Sequence, residues 1–347
     1  MNGHIRIIRE AGGVGDVVRL FPVLRELKKK YPGDKLWLYA PIRYSQLYYC
    51  SGVKHTLVPT PDVKRKRLSP LDDKLWSYLS KPVGVRKWKF DVDEYCPGFA
   101  EEVKMGQDVD RDRIECFCRA AKVWPCDPMP YLYVGTRAER SANAFFSDFN
   151  LKKYLGVVTV QPFSTDRGRD WPKHKWFELC NSLEEAGFAV IVLDVVPGRT
   201  ERFSSFLRII GQPLPHVASV IRSADLHIGP DSGLMHIASA VGTPTLVLMA
   251  AQPFHIVCKH YKKAVLISPP LGAIGPCKSW PCLWHRPMQC VPYVSKRPCP
   301  ILQRIQVVDV LKAAVDVILE CGKISLASLD QRLELLHQRT PVCSQPH

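Results

Sequence analysis

No apolar run in the 347 residues approaches the roughly 20 needed to cross a bilayer. The opening stretch Met1-Asn2-Gly3-His4-Ile5-Arg6 has none of the long apolar core of a secretory signal. Both gaps lead to the expectation of a cytoplasmic protein whose thirteen cysteines stay reduced and serve mainly as small buried hydrophobes. A close Cys-x-x-Cys pair is also missing from the richest stretch, Cys277, Cys282, Cys290 and Cys299, where the intervals are four, seven and eight residues. Reduced thiols packing a loop are expected there, with a structural zinc site or disulfides as alternatives, and no metal is required. Acidic residues are in short supply: 33 Asp and Glu face 48 Lys and Arg, a net charge of +15. Such a surface attracts nucleotide phosphates, acidic glycans, anionic lipid heads or nucleic acid. The last would call for a basic recognition helix or aromatics stacked on a sheet, and neither is evident.

What remains is the balance of a globular protein, 46% hydrophobic and 23% charged, with a length suited to two domains of about 100–200 residues each. Ile5-Arg6-Ile7-Ile8-Arg9 reads as a strand, followed by a glycine turn and a helix on Val17, Val18, Leu20, Phe21, Val23, Leu24 and Leu27. That helix closes in Lys28-Lys29-Lys30 before Pro32-Gly33, and Lys35-Leu36-Trp37-Leu38-Tyr39-Ala40 resumes as a strand. From about 60 to 130 the pattern weakens around the basic run Lys64-Arg65-Lys66-Arg67. Tyr131-Leu132-Tyr133-Val134 is expected to be extended, and 137–149 to be a helical connector. A second α/β series begins at Gly156-Val157-Val158-Thr159-Val160. Helices are expected near 175–187, 200–210, 216–223 and 233–241, and strands at 189–193, 225–228 and 245–248. An apolar helix is expected after Ile305. The expected architecture is α/β, two Rossmann-like domains with parallel sheets facing across a cleft, divided as 1–150, 151–325 and a C-terminal helix or tail at 326–347. Ligands belong at the C-terminal ends of the strands.

Three turns carry chemistry. Gly12-Gly13-Val14-Gly15-Asp16 fits neither GxGxxG nor a P-loop, so a nicotinamide or ATP site is not indicated. Asp16 stands where a helix N-cap belongs, and both capping and proton acceptance suit it. Gln161 to Pro172 holds Ser164, Thr165, Arg167 and Arg169, the groups of an anion clamp or of a solvated basic loop. In Gly229-Pro230-Asp231-Ser232-Gly233-Leu234-Met235-His236 a strand ends and a helix begins. The free N–H groups of that helix suit a diphosphate, while Asp231 or Ser232 as a cap and His236 as a core residue are the bland alternatives.

Taken together, Gly-Gly-Val-Gly-Asp with Pro22 six residues on, Trp171-Pro172 with Trp176, and Asp-Ser-Gly-Leu-Met-His-Ile-Ala with Gly242-Thr243-Pro244 are similar in order and spacing to the ADP-heptose:lipopolysaccharide heptosyltransferases, glycosyltransferase family 9. The resemblance runs from about residue 5 to 320. It implies a GT-B fold and an inverting, metal-independent transfer, with no cofactor beyond the donor, an ADP-sugar or another nucleotide-diphosphate sugar. The acceptor implied is a glycan or glycolipid such as lipopolysaccharide core. By position, Asp16 matches the catalytic base, and Ser164, Thr165 and Arg169 match the phosphate loop, where the family often has lysine in place of the arginine. Glu201 falls near the donor ribose, and Asp231, Ser232, Gly233, Leu234, Met235 and His236 match the diphosphate turn. Gly13, Gly15 and Arg43 lie on the acceptor side. The same reading allows peripheral contact with an anionic membrane at its inner face and expects no nucleic-acid partner. Competing readings are a GT-B-type sugar-nucleotide epimerase, which would need further acid/base residues, and a non-catalytic nucleotide-sugar or nucleic-acid-binding protein.

Overall fold

A computed structural model describes residues 3–8, 13–60, 85–89 (backbone only), 112–165, 167–249, 254–268 and 299–321. Gly12, Lys64–Arg67, Asp166, Cys277, Cys282, Cys290 and the expected tail 326–347 lie outside the described residues. The chain divides into two compact units: Met1–Gly135 with Pro253–Lys262, and Thr136–Gln252 with Lys263–His347.

The first unit opens with β1 (His4–Ile8), α1 (Val14–Lys30), β2 (Lys35–Pro41), a 3-10 turn at Ile42–Tyr44, α2 (Ser45–Tyr49), β3 (Thr56–Thr60) and β4 (Val85–Lys89). Its four strands are all parallel in the order β3-β2-β1-β4. Ile5 and Ile7 of β1 are fully buried, and Val18, Leu20, Val23, Leu24 and Leu27 form the buried stripe of α1. Helix α3 (Arg113–Ala120) packs on α1. It begins in the weakly patterned stretch and is fixed by Asp112, whose carboxylate accepts from the Ile114 N–H at 2.7 Å. Tyr131 to Val134 pairs in no ladder among the described residues. Instead the Tyr133 N–H donates to the Cys50 carbonyl at 2.8 Å, and Arg25 donates to the carbonyls of Asp127 and Met129 while stacking on Tyr131.

The second unit contains α4 (Thr136–Asp148), β5 (Val157–Val160), α5 (Lys173–Glu185), β6 (Ala189–Asp194), β7 (Leu207–Ile210), α6 (Leu214–Ser223), β8 (Leu226–Pro230), α7 (Gly233–Val241) and β9 (Thr245–Leu248). After α8 (Phe254–Val257), which belongs to the first unit, it continues with β10 (Ala264–Ile267) and α9 (Val307–Glu320). Its sheet is parallel in the order β10-β9-β8-β5-β6-β7. Every residue of β5, β6 and β8 is buried, as expected for central strands covered on both faces. Trp171, Trp176, Val160, Ile228 and Val310 share one core, with the Trp171 indole N–H donating to the Ile305 carbonyl at 3.2 Å.

One element differs in kind from the sequence expectation. The helix anticipated over 200–210 is a 3-10 turn at Glu201–Phe203 followed by the edge strand β7. Phe203, Phe206 and Ile209 have helical spacing, but the two aromatics belong to a ring cluster with Phe163 and Phe177. The β-branched end of the segment then pairs with β6, Leu207 lying beside Ile191.

Candidate active site

In both sheets the strand order reverses at the first strand: β1 lies between β2 and β4, and β5 between β6 and β8. Loops that leave the carboxyl ends of such strands diverge and open a crevice for ligands. The three chemistry-bearing turns follow β1, β5 and β8.

In the first unit the helix starts earlier than the sequence suggests. Gly13, in an extended conformation, is the N-cap of α1, so Asp16 stands three residues inside rather than at the cap itself. Its carboxylate reaches back, and Oδ2 accepts from the Gly13 N–H at 2.9 Å, the acidic half of a capping box. The other oxygen, Oδ1, lies 3.4 Å from Nη1 of Arg19 one turn on. The Asp16 side chain is 13% exposed, so an anion remains at the surface of the turn while both of its oxygens are held. Gly15 follows the cap within the first turn of α1. Arg43 lies in the 3-10 turn after β2, with its guanidinium 4.7 Å over the Tyr44 ring.

In the second unit the loop after β5 and the turn after β8 are bonded together. The Gln161 N–H extends the β5–β8 ladder by donating to the Ile228 carbonyl at 2.8 Å. The Gln161 side-chain carbonyl accepts from the Ser232 hydroxyl, and its amide donates to the Phe163 carbonyl at 2.9 Å. Arg169, at the end of a 3-10 turn, donates through Nη1 to the Asp231 carbonyl at 2.8 Å and lies 3.4 Å from Asp231 Oδ2. Its Nη2 is 3.5 Å from the Thr165 hydroxyl. Ser232 caps α7 by position without a side-chain bond to the helix, and no acid occupies the first turn. A guanidinium therefore sits beside the positive end of a helix dipole, with the exposed hydroxyl of Thr165 alongside.

Ser164 has a different place. It is buried, and both its N–H, at 2.8 Å, and its hydroxyl donate to Asp170. Burial pushes the Asp170 carboxyl upward against those bonds and the charges of Arg199 and Arg169. Leu234, Met235 and His236 are buried as well, with His236 Nε2 3.9 Å from Asp231 Oδ1. At this turn the backbone of α7 is what the ligand side can use. Glu201 is exposed in the turn after β6.

Arg199 escaped the sequence reading. It holds the buried Asp194 at the end of β6 with a forked pair of bonds, Nε to Oδ2 at 2.9 Å, and donates to the Ser164 carbonyl at 3.0 Å while lying over Phe163. The signal was local: an aspartate ending an apolar strand, with an arginine five residues on. Beside the same loop runs a groove of about 680 Å³ along β7, lined by Gly198, Thr200, Arg208, Gln212 and the rings of Phe145 and Phe149. Among the described residues no group of three or more His, Cys, Asp or Glu is placed to hold a metal ion. Cys299 is buried. No helix among the described residues is long and apolar enough to cross a membrane.

The family model for glycosyltransferase family 9 (heptosyltransferase) matches residues 124–256. No curated protein sequence gives a match. A family 9 glycosyltransferase from Veillonella parvula superposes with a TM-score of 0.68 at 14% identity, covering 92% of this chain and 98% of that one. The E. coli ADP-heptose lipopolysaccharide heptosyltransferase II gives 0.65 at 17% identity, covering 93% and 100%. The E. coli iron-containing dodecameric glycosyltransferase TibC gives 0.57 at 16%, covering 92% and 78%. These likenesses establish the GT-B fold. The family 9 model falls on the segment that carries Arg169 and Asp231, and in that segment the chain is similar to the family.

Proposed function

We propose that the protein transfers a heptose or related sugar, with inversion, from an ADP-sugar or similar nucleotide-diphosphate donor to a glycan or glycolipid acceptor such as lipopolysaccharide core. The observation that carries this reading is the bonded group of Arg169, Thr165 and Asp231 beside the N-terminus of α7. A diphosphate takes its charge balance there from one guanidinium and a helix end, and its hydrogen bonds from Thr165 and the Gly233 to Met235 backbone. Ser164 supports the loop from within. Glu201 holds the ribose, and the groove along β7 takes the base. The developing negative charge on the leaving group is met by fixed positive groups, which is how transfer proceeds without a divalent ion.

Asp16 is the general base. It accepts the proton of an acceptor hydroxyl as that oxygen bonds to the anomeric carbon and the bond to the diphosphate breaks. Gly13 and Gly15 keep the backbone of this turn open to the acceptor, and Arg43 meets its acidic or phosphorylated groups. The surplus of cations fits work in the cytoplasm at the inner, anionic face of a membrane.

The test is incubation with ADP-, UDP-, GDP- and dTDP-sugars and a lipopolysaccharide-core acceptor, following nucleotide release by the native enzyme and by Asp16→Asn, with and without EDTA. The expected result is release from one donor class, insensitive to EDTA, and lost in the variant although the nucleotide still binds. Equal turnover by both proteins removes Asp16 from the mechanism, and loss with EDTA removes metal independence.

A further inference from the structure

The Asp16 carboxylate is held more firmly than a capping role requires. A cap needs one oxygen, and Oδ2 already accepts from the Gly13 N–H. The second oxygen is met by Arg19, whose side chain is only 7% exposed. A guanidinium keeps its charge at any working pH, and burying one is costly unless it is paired. Arg19 has two further polar neighbours in the first unit. Asp112, fully buried at the start of α3, faces its charge, and the hydroxyl of Tyr261, buried just beyond α8, is hydrogen-bonded to it. Residues from two other stretches of chain thus surround one side chain, and that side chain is directed at a largely buried carboxylate at the mouth of a turn.

We propose that Arg19 is a positioning residue for glycosyl transfer: bonded to Tyr261 and facing the Asp112 carboxyl, its guanidinium holds the Asp16 carboxylate in the orientation from which it accepts the acceptor proton. The inference rests on the assignment of Asp16 as the base. With both oxygens engaged, the carboxylate cannot rotate freely. Fixing that geometry before the acceptor arrives removes an orientational cost from the chemical step. Donor binding, which depends on the loops of the second unit, does not need it.

The experiment compares the full-length wild type with Arg19→Ala, Arg19→Lys, Asp16→Asn and the Asp16→Asn/Arg19→Ala double variant, using the nucleotide sugar accepted from the four-donor panel. Folding is followed by circular dichroism. Arg19→Ala should lose about tenfold to a hundredfold in kcat, at or below the low end of the roughly 10²–10⁴-fold that an acid/base group itself supplies, with the donor KM unchanged. Added guanidinium ion should restore part of that turnover, and none to Asp16→Asn. Arg19→Lys, which keeps the charge and loses the fork, should fall between. In the Asp16→Asn background the Arg19 change should cost nothing more. A folded Arg19→Ala enzyme with normal kcat, a rise in donor KM in place of the fall in kcat, or a folded variant that guanidinium does not rescue overturns the proposal. If Arg19→Ala does not fold, Arg19→Lys decides, and wild-type kcat there overturns it too. Full activity of Asp16→Asn would instead break the assignment of the base, a separable result.

Discussion

Two strand-to-helix turns in this protein look alike in sequence and are wired in opposite ways. The turn into α1 carries its acid inside the helix, where Asp16 closes back on the Gly13 N–H and pairs with Arg19. The turn into α7 carries its acid before the helix, where Asp231 is tied to Arg169, and leaves the first helical turn free of carboxylates. The first arrangement satisfies the helix dipole with its own anion and so discourages a second one. The second leaves that dipole for a ligand and adds a guanidinium. Under the proposed function a base and a diphosphate site arise from the same local architecture, and the difference lies in where one aspartate stands relative to the helix start.

The comparison breaks most sharply at Asp16. If the α1 turn presents a base, Asp16→Asn should lower kcat by about 10²–10⁴-fold while nucleotide affinity, measured by calorimetry, stays near wild type. A loss of affinity in its place would mean that both turns bind the donor. Next in size, Arg169→Ala should cost about 10²-fold in kcat/KM, the scale of removing a fixed charge-stabilising donor. Arg169→Lys should recover part of it, since a lysine keeps the charge and loses the bond fork to Asp231 and Thr165.

How much of this was readable beforehand depended on whether the deciding contacts were local. The α7 turn was: Gly233 to Val241 forms the helix expected, because a strand, a turn and an apolar helix follow one another without interruption. The parallel order of β5, β6, β8 and β9 follows from the same rhythm. Asp16 was singled out as a candidate, but its position three residues inside the helix was not foreseen, because Gly13 took the cap and nothing in residue type distinguishes the two. Strand β7 was read as a helix because three apolar residues had helical spacing, and only pairing with β6 decides otherwise. Arg19, Asp112 and Tyr261 meet across long sequence separations, so no local pattern announces them. Arg199 reaching Ser164 is also non-local, although its pairing with Asp194 five residues back is not.

The buried cluster behind α1 makes the next test, a thermodynamic one. Burial pushes the Asp112 carboxyl up to about 6, against the pull of Arg19. A folded-state pKa above the unfolded value of 3.8 means that the native state binds its proton more tightly. Asp112 therefore contributes stability at low pH that is lost as pH rises from about 4 through 6. Asp112→Asn retains an N-cap for α3 and removes the titration. Its unfolding free energy minus that of wild type should increase between pH 4 and pH 7 by about 1–3 kcal/mol, a value set by roughly two pKa units at 1.4 kcal/mol each and reduced by relaxation. A difference that is flat with pH would show that Asp112 is not the group held protonated.

The smallest effect tests the contrast directly, by giving the α7 turn the acid that α1 has. Gly233 is the first residue of α7 and is partly exposed, so a short side chain there stays near solvent. Gly233→Ala controls for the added carbon at a position where a diphosphate approaches the backbone, and Gly233→Asp adds only the charge beyond that. The aspartate should stabilise the helix by a few tenths of a kcal/mol while weakening nucleotide-diphosphate binding by about three- to tenfold relative to alanine, the scale of one charge at a helix end. Because that charge acts partly through solvent, the difference should shrink as ionic strength rises from 0.01 to 1 M, where the screening length falls from about 30 to 3 Å. Equal nucleotide affinity for Gly233→Ala and Gly233→Asp at low salt would mean that the free end of α7 does not face the diphosphate, and that Arg169 carries the anion alone.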